Sequence, residues 1–428
     1  MSTLSAVRKW LAGFSSNYWI IVVTFSIFHF SFRGSWTYYY NYIVALGATE
    51  AIVGVVSAIN SIAFAISQIP GGYLADTIGR KRLVVSMTWL IAFINFMVAC
   101  APSWETLLLI SIIDGIVRAY IPALRALLQD SLSNDVRARG LMLSTALPTI
   151  ISVPAPWIAG YIISMFSDPI LGYRTVFLMA FVFSIVAAIL RLKLRETLEK
   201  LALKKIDLRL ICKYIINAFN HIRITWRELT LATKQALLAM VVLTLAQGMY
   251  MPYLIRIATA RALFSDAEWG IIMSISLVIS TMLSFSIMPI ADRISRRCLV
   301  LLGSIIMSVG LLIFYNYTSL LTLHMVSQLL FRDISFLGLI VGLSMVFAGF
   351  SLINGGYGSF IAETTRLELR GELMALDNLI STMGIAIGSF IASLIYICIY
   401  ETMLIICAML VIAFGTLSQI IMRIKKLN

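Results

Sequence analysis

The sequence predicts an all-α integral membrane protein with twelve transmembrane helices arranged as two pseudo-symmetric six-helix bundles. The first observation is composition: 60% of the 428 residues are apolar and 12% are charged, about half the charged fraction of a soluble domain. The second is spacing, because the apolar residues fall into blocks of about 20, which as helices cross ~30 Å of hydrocarbon. The third is a repeat between the two halves of the chain.

The apolar blocks divide into two sets of six with a basic stretch between them. The first six spans are expected near residues 18–43, 51–74, 83–100, 106–129, 141–165 and 172–191, and the second six near 235–255, 268–290, 298–316, 335–359, 373–399 and 402–422. The basic stretch interleaves Lys and Arg with Leu and Ile, which predicts amphipathic helices on the membrane surface rather than a regulatory site. We therefore expect an N-terminal bundle at 1–191, a linker at 192–234 and a C-terminal bundle at 235–428.

The net charge of +13 reflects membrane topology. When the spans are counted alternately, nearly all Lys and Arg residues fall on one side of the bilayer, including Arg80–Arg82 and those of the linker. The positive-inside rule then places both termini in the cytoplasm of a multi-pass plasma-membrane protein. A lipid bilayer is the expected partner and a nucleic acid is not. The run from Tyr18 to Leu46 is expected to be an uncleaved first span.

The sequence lacks the motifs of two alternative protein classes. No Walker motif is present for direct use of ATP, and no Ser/His/Asp, HExxH or clustered-carboxylate arrangement indicates an enzyme. The five cysteines form no CxxC and no Cys/His cluster, so neither a disulfide framework nor a metal site is predicted. We expect no cofactor.

The first part of the repeat lies in two loops. GYLADTIGRKR after span 2 matches MPIADRISRRC after span 8, which aligns Asp76 with Asp292 and Arg80 with Arg296 at an offset of 216 residues. The two halves are therefore expected to share one fold.

The second part of the repeat follows spans 4 and 10. Asp130 aligns with Glu363 and Arg137 with Arg370 at an offset of 233 residues. The extended segment 317–334 supplies the insertion that the two offsets require. Duplicated six-span halves are an architecture for alternating access, with the binding site at the interface between the repeats.

The loop after span 2 resembles the signature of the major facilitator superfamily, G-x-L-A-D-x-x-G-R-K/R-x. Its matching residues are Gly72, Leu74, Ala75, Asp76, Gly79, Arg80 and Lys81. The resemblance covers essentially the whole chain. Within the superfamily, the chain is similar to the drug and metabolite antiporter branch or a related prokaryotic branch. It implies a monomeric secondary active transporter that moves a small organic solute by alternating access, coupled to protons. A transporter-fold sensor without turnover is the alternative, and retention of the gating charges argues against it.

The same resemblance implies a cytoplasmic gate. Gly72 is expected to permit close approach of a helix from the other half, and Gly79 to form a tight turn. Asp76 is expected against the N-terminus of span 11, and Arg80 against the carboxylate of Asp130. The remaining gate residues are the other members of the repeat: Arg137, Asp292, Arg296, Glu363 and Arg370.

The second copy of the gate loop keeps the charges and loses the glycines. Met288 and Ser295 stand where the first copy has Gly72 and Gly79. We therefore predict an asymmetric gate, in which Asp76→Asn lowers the initial rate of transport far more than Asp292→Asn does. Equal sensitivity at the two positions contradicts this prediction.

Span 5 contains a partial match to the G-P-x-x-G-G element of antiporters. In the segment from Ala155 to Gly160, Pro156 and Gly160 match and alanine replaces the other two glycines. The segment is therefore either an exporter element or a proline-kinked packing helix. Efflux antiport is slightly favoured, and the alternative is uptake symport of an organic anion or another metabolite.

Three charges at mid-membrane depth are candidates for proton coupling. Asp114 and Arg118 lie four residues apart on one face of span 4, and Arg33 lies in span 1. Ionisable groups at this depth are costly and thus indicate function. We expect Arg33 and Arg118 to hold Asp114, and Asp114 to bind the coupled proton. The alternative is a permanent ion pair that joins spans 1 and 4.

Polar and aromatic residues of spans 1, 4, 7 and 10 are the candidates for substrate binding, because these spans line the cavity in the family fold. They are His29, Tyr40, Arg125, Gln247, Tyr250, Asn354 and Tyr357. The residues of spans 7 and 10 suit a weakly polar solute, whereas the arginines of spans 1 and 4 suit an anion. Sequence alone leaves both open.

Overall fold

The computed structural model describes residues 13–197, 223–291, 293–323, 328–365 and 370–424. Within these ranges the chain is helical and contains no strand. The helices of these ranges that correspond to the expected spans are numbered α1 to α12 in chain order. Their bounds are α1 Ser16–Trp36 with Tyr39–Ala45, α2 Glu50–Ile78, α3 Arg80–Ala99, α4 Trp104–Val117 with Arg118–Tyr120 and Ile121–Asp130, α5 Arg137–Ser152 with Ala155–Ser164, α6 Pro169–Arg191, α7 Leu231–Tyr250 with Leu254–Arg256 and Ile257–Arg261, α8 Asp266–Ala291, α9 Arg296–Leu323, α10 Gln328–Thr364, α11 Arg370–Ile399 and α12 Met403–Ile424.

The helices confirm the predicted fold class. Ten stretches of the described chain are long and apolar enough to cross a membrane, and one of them, Glu372–Met422, covers most of both α11 and α12. The helix α1 lies outside those ten stretches. Its run of apolar residues is interrupted by polar residues that include His29 and Arg33. Each of the predicted spans coincides with one helix or with consecutive segments of one helix.

The packing of the helices has two-fold pseudo-symmetry. In the N-terminal half α1 packs on α5 and α6, α2 on α4, and α3 on α6; in the C-terminal half α7 packs on α11 and α12, α8 on α10, and α9 on α12. Each second contact follows from the first by adding six to both helix numbers. Between the halves the main contacts are α2 with α11 and α5 with α8, which the same operation exchanges.

Four of the helices that line the space between the bundles are interrupted. Pro122, Pro154 and Pro252 lie at the breaks of α4, α5 and α7, where a missing N–H and the proline ring prevent a regular helix. In α1 the hydroxyl of Thr37 instead donates to the carbonyl of Arg33, at 2.5 Å, a bond that bends helices. Three residues at these breaks line that space: Thr37, Ile121 and Pro252.

The two membrane faces differ. We call the face with the connections 46–49, 100–103, 165–168, 262–265 and 400–402 the sealed face, and the face with 79, 131–136 and 293–295 the open face. Among the described residues, every side-chain hydrogen bond between the two halves lies in the part nearer the sealed face. Most of the predicted linker, residues 198–222, lies outside the described residues, so the domain limits at 191 and 235 stay predictions.

Candidate functional site

A cavity of about 1390 Å³ lies between the bundles. Its wall is formed mainly by segments of α1, α2, α4, α5, α7, α8 and α10, and α3, α9 and α11 contribute one or two residues each. The cavity extends to Arg296, the first residue of α9 on the open face. The cavity wall thus reaches the open face, whereas the hydrogen bonds between the halves of the described chain lie toward the sealed face.

The N-terminal wall places a carboxylate in an ion pair beside aromatic rings. Asp114, with a side chain that is 5% exposed, forms an ion pair with Arg118 Nη2 at 2.6 Å and accepts a hydrogen bond from Asn60 Nδ2 at 3.2 Å. The guanidinium of Arg118 also lies 5.0 Å from the ring centroid of Phe32 and 5.3 Å from that of Trp36. The ion pair and the two rings thus hold the carboxylate of Asp114 and the guanidinium of Arg118 in a fixed relative position.

Arg33 does not take part in this pair. Its guanidinium donates to the hydroxyl of Ser152 on α5 at 3.0 Å, and within the described chain no ion pair joins it to Asp114. The expected contact between Arg33 and Asp114 is therefore wrong for this conformation, because Arg33 faces α5 and Asp114 faces α2. Both side chains nevertheless line the cavity.

The candidates for substrate binding separate into two groups. His29, Tyr40, Arg125 and Gln247 line the cavity. The other three do not line it in the part of the chain that the structure describes: Tyr250, Asn354 and Tyr357.

Packing explains two of those three exceptions. Tyr250 is 2% exposed and packs in the main apolar core of the molecule. Tyr357 is also buried and donates to Asp377 Oδ1 of α11 at 2.8 Å. Asn354 is exposed but outside the cavity wall. In this conformation none of the three lines the cavity, and for the two tyrosines the reason is that each ring packs on a neighbouring helix. Their assignment to substrate binding stays a prediction.

The open face carries two ion pairs that are equivalent by the repeat. Arg80 of α3 pairs with Asp130 at the end of α4, and Arg296 of α9 pairs with Glu363 at the end of α10, with Nε and Oε1 3.2 Å apart. Thr197 also donates to Asp130 at 2.8 Å. The alignment of the two halves, made from sequence, thus corresponds to matching contacts in the structure.

The other predicted gate residues are placed as follows. Gly79 has φ +97° and forms the whole connection between α2 and α3, and Gly72 lies partly buried in α2. Arg137 is exposed and begins α5. The remaining three lie outside what the structure describes, either entirely or in their side chains: Asp292, Asp76 and Arg370.

The sealed face is held by an ion pair between the halves. Glu50, at the start of α2, accepts from Arg256 of α7 at 2.5 Å. Arg256 also donates to Asn41 Oδ1 at 2.9 Å. The hydroxyl of Tyr253 donates to the carbonyl of Glu50 and accepts from the N–H of Gly54, both at 3.1 Å.

A second cross-bundle cluster surrounds Asp266, the first residue of α8. Its carboxylate accepts from Tyr173 Oη at 2.6 Å and from Asn41 Nδ2 at 2.7 Å. Close backbone packing supports it, because a Cβ at Gly160 would lie 2.4 Å from the carbonyl oxygen of Asp266. Sequence analysis missed both clusters. One feature of the sequence could have indicated them. Glu50, Arg256 and Asp266 are charged residues at the ends of spans, on the side of the membrane that carries few Lys and Arg residues.

The chain matches the family model described as the Major Facilitator Superfamily over residues 20–233. This match covers half of the chain. The chain belongs to the major facilitator superfamily. It is therefore a multi-pass membrane protein of a transporter family.

Two curated relatives are similar over part of the chain. The Multidrug resistance protein MdtL of Shewanella sp. (strain ANA-3) is 30% identical over 148 residues, which is 34% of this chain and 37% of the relative. The protein of the same name from Shewanella oneidensis is 32% identical over 159 residues, 37% of this chain and 39% of the relative. The matches thus span less than two fifths of these relatives.

Solved structures share the fold over nearly the whole chain. A mutant of a peptide transporter POT, in complex with sulfate, has a TM-score of 0.72 at 14% identity, and the match covers 96% of this chain and 95% of that one. A mutant of the nucleoside transporter NupG has a TM-score of 0.68 at 14% identity, covering 95% and 98%. A D-xylose-proton symporter has a TM-score of 0.70 at 12% identity, covering 94% and 96%.

Proposed function

We propose that this protein is a secondary active transporter that moves a small organic solute by alternating access, coupled to protons. One observation supports this most: a cavity between two bundles is closed on one face by cross-bundle bonds and open on the other. A cavity at the interface of duplicated bundles is where such transporters bind their substrate. The second state would break the bonds of the sealed face and join the halves at the open face.

The open face is the cytoplasmic one in this proposal. It carries Arg80, Lys81, Arg82 and Arg137, whereas Glu50 and Asp266 lie at the sealed face. The positive-inside rule assigns the basic face to the cytoplasm. The described conformation is then the inward-open state of a plasma-membrane transporter, and the ion pairs Arg80–Asp130 and Arg296–Glu363 belong to the gate on the cytoplasmic face.

Asp114 is the proposed proton-binding group. The carboxylate is nearly buried, lines the cavity and pairs with Arg118. A proton on Asp114 would remove the negative partner of Arg118 and leave a cation on the cavity wall. Because an unpaired charge in this setting is unfavourable, proton binding would change the relative stability of the two conformations. The alternative, a permanent structural pair, predicts no proton coupling.

Efflux by antiport is the favoured direction. The partial similarity to two multidrug resistance proteins supports it. In α5 the carbonyl of Pro156 accepts from the hydroxyl of Tyr38 at 2.7 Å and lies beside Gly270 of α8. These contacts fit a packing helix, so the element does not favour efflux over uptake. Uptake symport of an organic anion or another metabolite is the alternative.

Reconstitution into proteoliposomes tests the proposal. Labelled organic solutes are supplied with and without a pH gradient of either sign. We expect at least one solute to accumulate against its gradient only when the pH gradient is present, and the sign of that gradient assigns antiport or symport. A protein that binds solutes but never moves them contradicts transport and favours a sensor.

A further inference from the structure

The charges on the cavity wall are unequal in number. Among the residues that the structure describes, four arginines line the cavity, Arg33, Arg118, Arg125 and Arg296, against one carboxylate, Asp114. Two of the arginines have acidic partners, because Arg118 pairs with Asp114 and Arg296 pairs with a glutamate of α10. Within the described chain, Arg33 and Arg125 are in no ion pair.

The two arginines without an acidic partner retain most of their donors. Arg33 uses one N–H on the neutral hydroxyl of Ser152, and a guanidinium has five N–H donors. Arg125 has an exposed side chain on α4 and makes no hydrogen bond within the described residues. A guanidinium with free donors is the side chain best suited to bind a carboxylate or another planar oxyanion.

A further cation lies directly behind the same wall. Arg191 of α6 is 0% exposed and donates to the hydroxyls of Thr24 and Thr88 at 3.1 and 2.7 Å. Its guanidinium lies 4.8 Å from the ring of Phe28 and 5.8 Å from that of Tyr120. Both rings line the cavity, so the buried charge adds to the positive potential there, where screening by water is weak.

The opposite wall of the cavity is mostly apolar, and its polar members are Arg296, Gln247 and a few Ser and Thr residues. The C-terminal bundle contributes Met273, Leu277, Phe285, Phe347 and Phe350. These side chains give an apolar surface that faces the arginines across the cavity. Pockets of this kind bind the apolar body of a ligand by contact area and orient it through a few polar groups.

We propose that the substrate is an amphipathic organic anion, an apolar or aromatic body with one carboxylate or sulfonate group. The head group is bound by Arg33 and Arg125, and the body lies against the C-terminal wall. This proposal rests on the transport function proposed above and adds the charge of the substrate. It also explains why two cations without partners persist in the membrane, since the substrate supplies their counter-charge.

Binding of three probes with one body and different charges tests the proposal. The probes are 2-naphthoate, 2-naphthylmethanol and 2-naphthylmethylammonium, measured by calorimetry on the purified full chain in detergent. We expect the carboxylate to bind at least about tenfold more tightly than the alcohol. The reason is that a hydrogen bond between charged groups contributes more binding free energy than a tenfold ratio of affinities corresponds to. The ammonium probe should bind more weakly than the alcohol. Equal or reversed affinities on the wild-type protein overturn the proposal.

Variants assign the effect to the two arginines. Arg33→Gln with Arg125→Gln should remove the preference for the carboxylate and leave the affinity for the alcohol within about twofold, because only the charged contact is lost. Arg82→Gln with Arg293→Gln is the matched control, since it removes two positive charges from the exposed surface of the open face and none from the cavity wall. A carboxylate preference that survives the double substitution also overturns the proposal.

Transport of the same probes separates this proposal from the function it rests on. If proteoliposomes move the ammonium or neutral probe and the carboxylate does not bind, the anion proposal fails and the transport function stands. If the carboxylate binds with the expected preference and no probe or other solute is moved, the transport function fails. Both stand if the carboxylate alone is transported.

Discussion

Asp114 is the residue on which proton coupling depends in this proposal. Asp114→Asn keeps the size of the side chain and the contact with Asn60, but removes the group that gains and loses a proton. We expect accumulation driven by a pH gradient to fall to the background of empty liposomes, while exchange of labelled for unlabelled solute continues. Both are measured in proteoliposomes.

A matched acidic residue controls for the loss of one negative charge. Asp333 is exposed near the start of α10 and takes part in no ion pair within the described chain. Asp333→Asn should leave both driven accumulation and exchange unchanged. If Asp114→Asn retains driven accumulation, the pair with Arg118 is structural and another group carries the proton.

The connection between α2 and α3 depends on one glycine. Gly79 joins the two helices alone, with φ +97° and ψ 146°, a backbone region that is essentially restricted to glycine and costs other residues about 1–3 kcal/mol. Gly79→Ala should therefore lower the midpoint of thermal unfolding in detergent. The control is Gly358→Ala in α10, where an added Cβ meets nothing within 4 Å. An unchanged midpoint for Gly79→Ala shows that the turn relaxes.

The ion pair between α2 and α7 is expected to hold the sealed face closed. Arg256→Gln leaves Glu50 without its charged partner at a contact between the halves. We expect spin labels at the exposed positions Met165 and Leu263 to show a larger population of long distances. Adding Glu50→Gln should move the distribution back toward that of the wild type, because no unpaired charge remains.

A pair within one bundle provides the control for the sealed face. Arg332 of α10 pairs with Glu268 of α8 at 2.9 Å, also near the sealed face. Arg332→Gln should leave the distance distribution unchanged, because both partners belong to the C-terminal bundle. A shift of the same size for Arg332→Gln means that the labels report general loosening and not separation of the halves.

At the scale of the whole molecule, the sequence predicted the spans, the repeat and the open-face contacts well. Span length and the alignment of the halves depend on local pattern and chain spacing, so Arg80–Asp130 and Arg296–Glu363 follow from them. The face of a helix that meets another bundle depends on tilt and rotation, which apolar spans with weak amphipathic patterns do not encode.

Residues beside the interface illustrate this limit. Arg33 contacts Ser152 instead of Asp114, and Tyr357 contacts Asp377 instead of the cavity. Asn41 and Asp266 meet across the sealed face although 225 residues separate them in sequence. Neither lies in a motif, so only the packed structure brings them together.

Alternating access requires one bundle to move against the other. The hydroxyls of Ser57 on α2 and Ser389 on α11 lie 3.0 Å apart between the bundles, toward the sealed face. A disulfide between Ser57→Cys and Ser389→Cys should lock the inward-open state and stop transport, and reductant should restore it. Each single variant should transport with or without oxidant.

A disulfide within one bundle is the matched control. Asn95→Cys with Ser184→Cys joins α3 and α6, at two residues whose side chains also lie 3.0 Å apart. It should leave turnover intact, because alternating access moves the bundles as units. Full transport with the cross-bundle disulfide formed contradicts that motion.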